Sequence, residues 1–285
     1  MEPAFDTGMV HQLFKDGIHY TLYRPIAPVN YFIDHFLVAT GRPTFQMERS
    51  FPNNSVELFF NMGEPNLGKL QTRNSTYNFS NSIISGLRTS WLEIKPGNFF
   101  NIAGMRFTLF GFYHLFKIPA SHIADDNFNA TDVLGSSLSE LHEKIAETTT
   151  DTQKLMIMND WVFDCSGRTS GFEKMWTKVD SVLKDNNNHL QQALAQVMGY
   201  TNKHTIHLVR QMTGLTPKTI QRIYRINSFL KSHSLASENN WARVAYACGY
   251  ADQSHFIKEF KTFTGFTPEE LMKKNPKDYL LKKLG

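Results

Sequence analysis

The stretch VAYACGYADQSHFIKEFKTFTGFTP, residues 244–268, decides the fold of the last third of the chain. It predicts a short helix, a turn and a longer second helix, which is the order of elements in a helix-turn-helix. Gly249 supplies the positive φ that such a turn needs. Thr267 places a capping hydroxyl before a proline, and Glu270 completes a capping box, so a further helix is expected to begin there.

A looser copy of this stretch, LAQVMGYTNKHTIHLVRQMTGLTP, covers residues 194–217. It has the same Gly-Tyr pair and the same Gly-x-Thr-Pro ending, which predicts a second helix-turn-helix unit. Residues 217–233 between the copies predict one continuous helix of about 26 Å. This length is comparable to the roughly 34 Å between successive major-groove faces of a DNA duplex. A single chain of this design could read two adjacent groove segments.

The second helix of each copy has one apolar face and one polar face. Phe256, Phe260 and Phe263 form the expected buried stripe of the later copy, and donors and cations gather opposite. Exposed donors and cations on one helix face suit major-groove reading, although an amphipathic helix on a helical bundle shows the same pattern. The predicted DNA contacts are Thr201, Lys203, His204, His207, Arg210, Gln253, Ser254, His255, Ile257, Lys258 and Lys261, with Lys218 and Arg222 on the connecting helix. For Arg225 a phosphate contact and an internal ion pair are both open.

Charge is distributed unevenly along the 285 residues. Residues 1–180 carry 15 Lys and Arg against 19 Asp and Glu, whereas residues 181–285 carry 15 against 7. The basic C-terminal third is therefore expected to meet a polyanion. Together with the duplicated helix-turn-helix pattern, this charge asymmetry favours a DNA-binding domain over a plain helical bundle.

Residues 189–271 strongly resemble the DNA-binding domain of the AraC/XylS transcription regulators, through the two units, the linking helix and the GYADQSHF and GFTP motifs. The resemblance implies a cytoplasmic bacterial regulator whose first unit supplies more of the operator-specific contacts. The first unit departs from the family pattern at Thr205, His207 and Val209, where leucine, arginine and phenylalanine are common.

The N-terminal part has short runs rich in aromatic and β-branched residues, separated by Gly, Pro and Asn. This texture predicts a β-rich barrel or sandwich with flanking helices, and hence an α+β chain of two domains. We expect a sensor domain at residues 1–160, a linker at 161–172 and the DNA-binding domain at 173–285. Residues 50–126 also resemble the β-rich sensor domain of one subset of these regulators, which implies an architecture but no particular effector.

Candidate effector-binding residues are those that an aromatic pocket with a few polar groups would use. They are Arg88, Trp91, Arg106, Tyr113 and His114, each of which could equally serve packing or surface charge.

The sequence shows no pattern of an enzyme, a cofactor site or a metal site. Phosphate-binding glycine loops and a nucleophile elbow are absent, and the N-terminal histidines include no closely spaced pair; His114 and His122 are the nearest to one. Cys165 and Cys248 indicate neither a disulfide framework nor zinc, which favours a reducing cytoplasm. No apolar run reaches the roughly 18 residues of a membrane helix.

The sequence thus predicts a sequence-specific transcription regulator that binds double-stranded DNA and responds to a small-molecule effector. The alternative is a ligand-independent, weakly specific architectural DNA-binding protein. The sequence leaves open whether the protein forms a homodimer. It also leaves open contact with RNA polymerase, which an activator would make.

Overall fold

The computed structural model describes residues 8–71, 75–167, 173–185, 189–232, 240–273 and 280–281. Within these residues the chain forms a sheet-rich part, residues 8–166, and a helical part, residues 173–273. The expected α+β class, with a β-rich N-terminal region and a helical C-terminal domain, is confirmed.

The strands of the described residues lie almost wholly in the sheet-rich part. In chain order they are β1 (Met9–Lys15), β2 (Ile18–Arg24), β3 (Ile33–Gly41), β4 (Glu48–Ser50), β5 (Glu57–Asn61), β6 (Asn66–Leu70), β7 (Ser75–Phe79), β8 (Ser82–Ser85), β9 (Leu92–Lys95), β10 (Phe100–Phe107), β11 (Asn127–Asn129) and β12 (Leu280–Leu281).

These strands form two sheets rather than one closed barrel. Seven antiparallel strands have the order β1-β2-β3-β10-β5-β8-β11, and five have the order β12-β4-β9-β6-β7. In the smaller sheet only the pairing of β12 with β4 is parallel among the described strands. Of the two predicted architectures, the sandwich is therefore closer than the barrel. Strand β12 also brings the C-terminal end of the chain back to the sheet-rich part.

The two faces of the larger sheet have different roles, because successive side chains of a strand point to opposite faces. In β5, Leu58 and Phe60 are fully buried in the main hydrophobic core, which continues into the helices packed on that face. The alternate residues Phe59 and Asn61 point toward the smaller sheet and line a cavity between the two sheets. The sheet-rich part therefore has three layers, with helices, the larger sheet and the smaller sheet in that order.

The helices of the described residues follow the sequence-based expectations closely. In chain order they are α1 (Gly111–Phe116), α2 (Ala130–Leu134), α3 (Ser137–Ala146), α4 (Asp151–Ser166), α5 (Glu173–Lys184), α6 (Leu190–Met198), α7 (Asn202–Thr213), α8 (Pro217–Ser232), α9 (Trp241–Ala247), α10 (Gln253–Thr264) and α11 (Pro268–Met272). Short 3-10 turns cover Val29–Tyr31 and Ala120–His122.

The predicted linker at residues 161–172 falls partly on a helix. Helix α4 continues to Ser166, and residues 168–172 lie outside the described residues. The division of the chain into domains at this point stays a prediction.

The helical part packs directly against the sheet-rich part. One hydrophobic core runs from Phe107 of the larger sheet to Ile220 of α8, and the Phe110 and Trp176 rings lie 4.7 Å apart between their centroids. The polar contacts between described residues of the two parts include three that run from a side chain to a main-chain carbonyl. Asn54 Nδ2 donates to the Ile220 carbonyl at 2.9 Å, Asn227 Nδ2 to the Pro52 carbonyl at 3.0 Å, and Arg49 Nη1 to the Thr264 carbonyl at 3.2 Å. We call this region the junction.

Candidate nucleic-acid interface and internal cavity

Helices α6 and α7 form the first helix-turn-helix unit, and α9 and α10 form the second. Both turns contain a glycine in the left-handed region, Gly199 at φ 71° and Gly249 at φ 74°. After each glycine, a tyrosine N–H donates to the carbonyl of an equivalent alanine in the preceding helix. This alanine is Ala195 in the first unit and Ala245 in the second. The sequence duplication therefore corresponds to a duplicated backbone geometry.

The recognition helices α7 and α10 begin at equivalent N-caps. Thr201 Oγ1 accepts from the His204 N–H at 3.3 Å, and Asp252 Oδ1 accepts from the His255 N–H at 2.8 Å. Each cap removes one of the unsatisfied N–H groups of a first helical turn. Aligned from these caps, Thr205 occupies the position of Phe256.

The recognition helices also end alike. Each ends at a left-handed glycine, Gly214 at φ 81° and Gly265 at φ 77°. Before these glycines, Thr213 Oγ1 donates to the Val209 carbonyl at 2.7 Å, and Thr264 Oγ1 donates to the equivalent Phe260 carbonyl, also at 2.7 Å. Each hydroxyl also accepts an N–H two residues later at 3.2 Å. The two recognition helices are therefore fixed at both ends by the same interactions.

The structure exposes most of the predicted DNA contacts on the outer faces of α7 and α10. The cap alignment pairs Lys203 with Ser254, His204 with His255, His207 with Lys258 and Arg210 with Lys261, all exposed; Thr201 and Gln253 are exposed as well, and Ile257 is half-buried. Lys218, at the start of α8, is also exposed. The exposed face is therefore available to a nucleic acid in both units, and the individual contacts stay predictions.

Arg222 makes an ion pair inside the helical part, and its predicted phosphate contact stays a prediction. Its Nε donates to Glu259 Oε1, and its guanidinium carbon lies 5.2 Å from the centroid of the Phe263 ring. Glu259 is buried and also accepts from the Tyr250 hydroxyl at 2.8 Å. Since a buried carboxylate needs a cation, Arg222 serves to balance Glu259 inside the domain. Its partner lies 37 residues away in sequence, so helix periodicity could not indicate it.

Arg225 contacts the turn of the second unit, and its phosphate contact and ion pair both stay open. Its guanidinium carbon lies 4.7 Å from the centroid of the Tyr250 ring, within the range of a cation–π interaction. Its Nη1 donates to the Gly249 carbonyl at 3.4 Å. These contacts attach α8 to the turn of the second unit.

Two exposed tyrosines beside the recognition helices were missed from the sequence. Tyr200 is 50% exposed and stacks edge-on against His204, with ring centroids 4.8 Å apart, and Tyr246 on α9 is 83% exposed. Their position beside the exposed face of the recognition helices makes them further candidates for DNA contact. The signal was available for Tyr246, because it lies opposite the buried Val244 and Ala245 on a short amphipathic helix.

The sheet-rich part contacts the C-terminal ends of both recognition helices. A side chain at Gly214 would meet Ala124 Cβ at 2.4 Å, and one at Gly265 would meet Trp91 Nε1 at 2.3 Å. Beside Gly265, the Arg49 guanidinium carbon lies 4.0 Å from the centroids of both the Trp91 and Phe266 rings, and Arg49 Nη2 pairs with Glu93. These contacts leave the N-terminal ends of α7 and α10 exposed.

A cavity of about 90 Å³ lies between the two sheets. Its walls are mostly apolar and include Leu37, Phe59, Phe79, Phe100 and Ile102. Polar side chains line the remainder, namely Tyr20, Glu48, Ser50, Glu57, Asn61, Asn66, Asn81, Ser85, Arg88 and Asn127. Burial, together with the nearby Glu48, raises the pKa of Tyr20 well above its usual range, so this phenol stays neutral.

Of the five predicted effector residues, the structure brings only Arg88 to this cavity. Trp91 lies at the junction, Arg106 Nη2 pairs with Glu57 at 2.7 Å, and Tyr113 packs against the main core. His114 is buried in the helix layer with its ring centroid 5.1 Å from that of Trp176, and burial lowers its pKa to about 3. The other four do not line this cavity, and their role in effector binding stays a prediction.

The described residues contain neither a candidate metal-binding group nor a candidate membrane-spanning helix. No group of three or more His, Cys, Asp or Glu side chains is placed to hold a metal ion in that part of the chain. Across the same ranges, every helix is too short or too polar to cross a membrane.

Comparisons with known proteins agree with the geometry of the helical part. The family profile of a helix-turn-helix domain (HTH_18) matches residues 194–274. The profile of a domain of unknown function (DUF6597) matches residues 21–129. No curated protein matches the sequence.

Three solved structures illustrate how far the structural likeness goes. ToxT from Vibrio cholerae O395 is 16% identical, with 80% of this chain and 95% of that chain covered and a TM-score of 0.42. A second ToxT structure from Vibrio cholerae is 15% identical, covers 83% and 97%, and has a TM-score of 0.43. The Fe(II) form of HppE is 9% identical, covers 38% and 60%, and has a TM-score of 0.29. These TM-scores are too low to support a conclusion about fold or function.

The identification therefore rests on the signature, the duplicated helix-turn-helix geometry and the matching domain profile. All three fall on the same residues, with the profile beginning at α6 and ending after α11. The chain therefore carries a helix-turn-helix domain of the AraC type at residues 194–274.

Proposed function

We propose that this chain is a sequence-specific transcription regulator of the AraC/XylS type, in which α7 and α10 enter adjacent major-groove segments of one operator. The observation that carries the proposal is the equivalence of the two recognition helices in their N-caps, C-caps and exposed faces. Helix α8 joins them as a spacer of 16 residues, about 24 Å long. A rigid spacer of this size suits reading of neighbouring groove faces on one side of the duplex.

Base reading is expected from the N-terminal halves of the recognition helices. These halves present Lys203, His204, Ser254 and His255 away from the sheet-rich part. Donors at such positions reach base edges, while cations further along a helix reach phosphates. Because the two sets differ chemically, the two half-sites of the operator are expected to differ in sequence.

Electrophoretic mobility shift titration against the DNA upstream of the protein's own gene tests specificity. A specific binder should prefer its operator over scrambled DNA by about 10³ or more at a stated salt concentration. A preference below about tenfold would instead support the weakly specific architectural protein.

A paired substitution on equivalent positions tests base reading by each unit. If Lys258 reads bases, Lys258→Ala weakens binding by different amounts on different operators; a phosphate contact gives a uniform loss and a smaller salt dependence. His207→Ala changes the equivalent position of the first unit. It should shift sequence preference in the other half-site, and a shift in the same half-site would contradict adjacent reading by the two units.

The proposal includes control by a small molecule in the cavity. Its support is strand β4, which has neighbours on both faces. Glu48 and Ser50 line the cavity, whereas Arg49 between them contacts Trp91, Phe266 and the Thr264 carbonyl at the end of α10. A ligand that moves β4 would therefore change how the second unit is held. It changes DNA affinity only if it binds the two arrangements with different free energies.

Arg49→Met tests this route from cavity to recognition helix. The variant should bind a cavity ligand as the wild type does, because the Arg49 side chain lies on the opposite face of β4. The effect of the ligand on operator affinity, measured by fluorescence anisotropy, should be lost. An unchanged ligand response would rule out β4 as the route. Arg42→Met, which changes an exposed arginine of the sheet-rich part, is the matched control.

A further inference from the structure

The internal cavity is large enough for a small organic molecule and has one polar end. Measured in the same way, one buried water molecule needs about 10–15 Å³. The cavity volume of about 90 Å³ therefore holds roughly six to nine water-sized groups. Aromatic and aliphatic side chains from both sheets, among them Leu37, Phe79 and Phe100, form the apolar walls. The occupant is therefore a compact molecule with an apolar body.

A row of polar side chains crosses the larger sheet at the polar end of the cavity, and three of its members, Glu57, Ser85 and Asn127, line the cavity. Strand register places Arg106 opposite Glu57, Glu57 opposite Ser85 and Ser85 opposite Asn127. Paired residues of neighbouring strands point to the same face, so these four form a continuous line. The guanidinium of Arg88 joins this line, because Arg88 Nη1 donates to Ser85 Oγ at 2.5 Å.

Arg88 is a buried cation that is held by hydroxyl groups. It is 3% exposed, and its second terminal nitrogen donates to Ser50 Oγ at 2.9 Å. In the part of the chain that the structure describes, no carboxylate lies within 4.0 Å of this guanidinium. The nearby Glu57 instead pairs with Arg106. Burying a cation without a directly paired anion is costly, and a bound anion would offset that cost.

Asn127 provides a second group with unused hydrogen-bonding capacity. It is 6% exposed, lines the cavity, and neither its Nδ2 nor its Oδ1 has a hydrogen-bond partner among the described residues. The Nε of Arg88 has none there either. Ser50 and Ser85 accept from Arg88 through their oxygens, which leaves their hydroxyl hydrogens able to donate. The polar end is consequently rich in donors.

The charge of the complementary group follows from its neighbours. A single guanidinium suits a single negative charge, and the carboxylates of Glu48 and Glu57 on the same cavity oppose a dianion such as a phosphate monoester. We infer that the cavity binds a small organic monocarboxylate, with its carboxylate at Arg88 and Asn127 and its apolar body between the two sheets. The inference rests on the effector part of the proposed function and names the chemical class of the effector.

Calorimetric titration of the full chain with three probes of the same shape tests the class. The probes are cyclohexanecarboxylate, cyclohexanecarboxamide and cyclohexylmethylamine, which differ only in the polar group. The carboxylate should bind at least about tenfold more tightly than the amide, because a charged hydrogen bond replaces a neutral one, and the amine should not bind. Equal affinity for carboxylate and amide, tighter binding of the amine, or no binding of the carboxylate would each overturn the inference.

Three variants locate the site. Arg88→Gln should lower carboxylate affinity by at least about tenfold while leaving amide affinity within about twofold, because only the charge–charge contact is lost. Ala39→Leu adds a side chain to the apolar wall and should abolish carboxylate binding while the thermal midpoint is kept or raised. Arg42→Gln, at an exposed site outside the cavity, should bind as the wild type does. Undiminished carboxylate binding by Ala39→Leu would place the ligand elsewhere and overturn the inference, even if Arg88→Gln proved unstable.

The experiment separates failure of this inference from failure of the proposed function. Calorimetry is done without DNA, and operator binding is measured separately. Specific operator binding without carboxylate binding would refute the inference alone. Carboxylate binding at Arg88 without any change in operator affinity would support the inference and refute effector control.

Discussion

The first helix-turn-helix unit packs around Thr205 and Val209, whereas the second has Phe256 and Phe260 at the equivalent positions of its recognition helix. The second unit gains an aromatic cluster, in which the ring centroids of Phe229 lie 5.3 Å and 5.6 Å from those of Phe256 and Phe260. The first has no comparable cluster among its described residues. The two units therefore share the backbone geometry of their caps and turns. We expect their different hydrophobic cores to determine how stable each unit is.

The largest difference is expected from truncating the equivalent core residues. Phe260→Ala should lower the free energy of unfolding by about 3–5 kcal/mol, because it leaves a cavity within the aromatic cluster. Val209→Ala should cost only about 2 kcal/mol, since it removes fewer buried methyl groups. Urea unfolding followed by circular dichroism measures both. Equal losses would show that the two cores contribute alike, against the comparison above.

A smaller effect is expected from the ion pair that is present only in the second unit. Arg222→Met should cost about 2 kcal/mol, because it leaves Glu259 buried with a weaker set of partners. Lys218→Met, on the same helix but exposed, should change stability by less than about 0.5 kcal/mol. If Lys218 contacts a phosphate, the logarithmic salt dependence of DNA binding should fall by about one. A loss of stability at Lys218 equal to that at Arg222 would remove the distinction between the two residues.

A pH effect is expected from the sheet-rich part where it meets the helical part. Burial lowers the pKa of His114 to about 3, so His114 is neutral in the folded protein while the unfolded chain takes up a proton below its ordinary pKa of about 6.5. The corresponding stability is complete above about pH 6.5 and is lost as the pH falls toward 3.

Lowering the pH from about 7.5 to about 5.5 should reduce the free energy of unfolding by about 1.4 kcal/mol through this histidine. His114→Phe should flatten the dependence of unfolding free energy on pH in that range. The buried His35 and His142, whose pKa values burial also lowers, retain part of the slope. An identical slope in the wild type and the variant would mean that His114 is protonated in the folded protein.

The smallest effect is expected from a hydroxyl in the first unit. Thr205 is fully buried, and its Oγ1 has no hydrogen-bond partner in the described part of the chain. Thr205→Val keeps the shape and should stabilise the protein by about 1 kcal/mol. Thr213→Val makes the same change at a hydroxyl with three hydrogen bonds, and it should destabilise by about 1–3 kcal/mol. A destabilised Thr205→Val variant would show that this hydroxyl is hydrogen-bonded after all.

The recognition helices could be predicted from sequence because their signals are local. The Thr-Pro pairs give the starts of α8 and α11, and the glycines just before them give the ends of α7 and α10. The polar stretch TTTD, residues 148–151, likewise marks the boundary between α3 and α4. In each case the residues that decide the backbone lie within a few positions of the boundary.

Sites that depend on strand register could not be predicted in this way. Arg106 and Arg88 read alike in sequence, yet Glu57 on a neighbouring strand pairs with one and not with the other. Trp91 also fits an aromatic pocket on composition, but it lies at the junction beside Gly265, which is far away in sequence. The choice between barrel and sandwich has the same origin, since it depends on which strands pair at the sheet edges.

Three polar contacts at the junction end on main-chain carbonyl oxygens, those of Ile220, Pro52 and Thr264. A carbonyl acceptor is present whatever side chain the residue carries. The docking of the two parts therefore places little demand on the residues that face DNA. Recognition helices rewritten for another operator, or exchanged between related regulators, should still dock on this sheet-rich part.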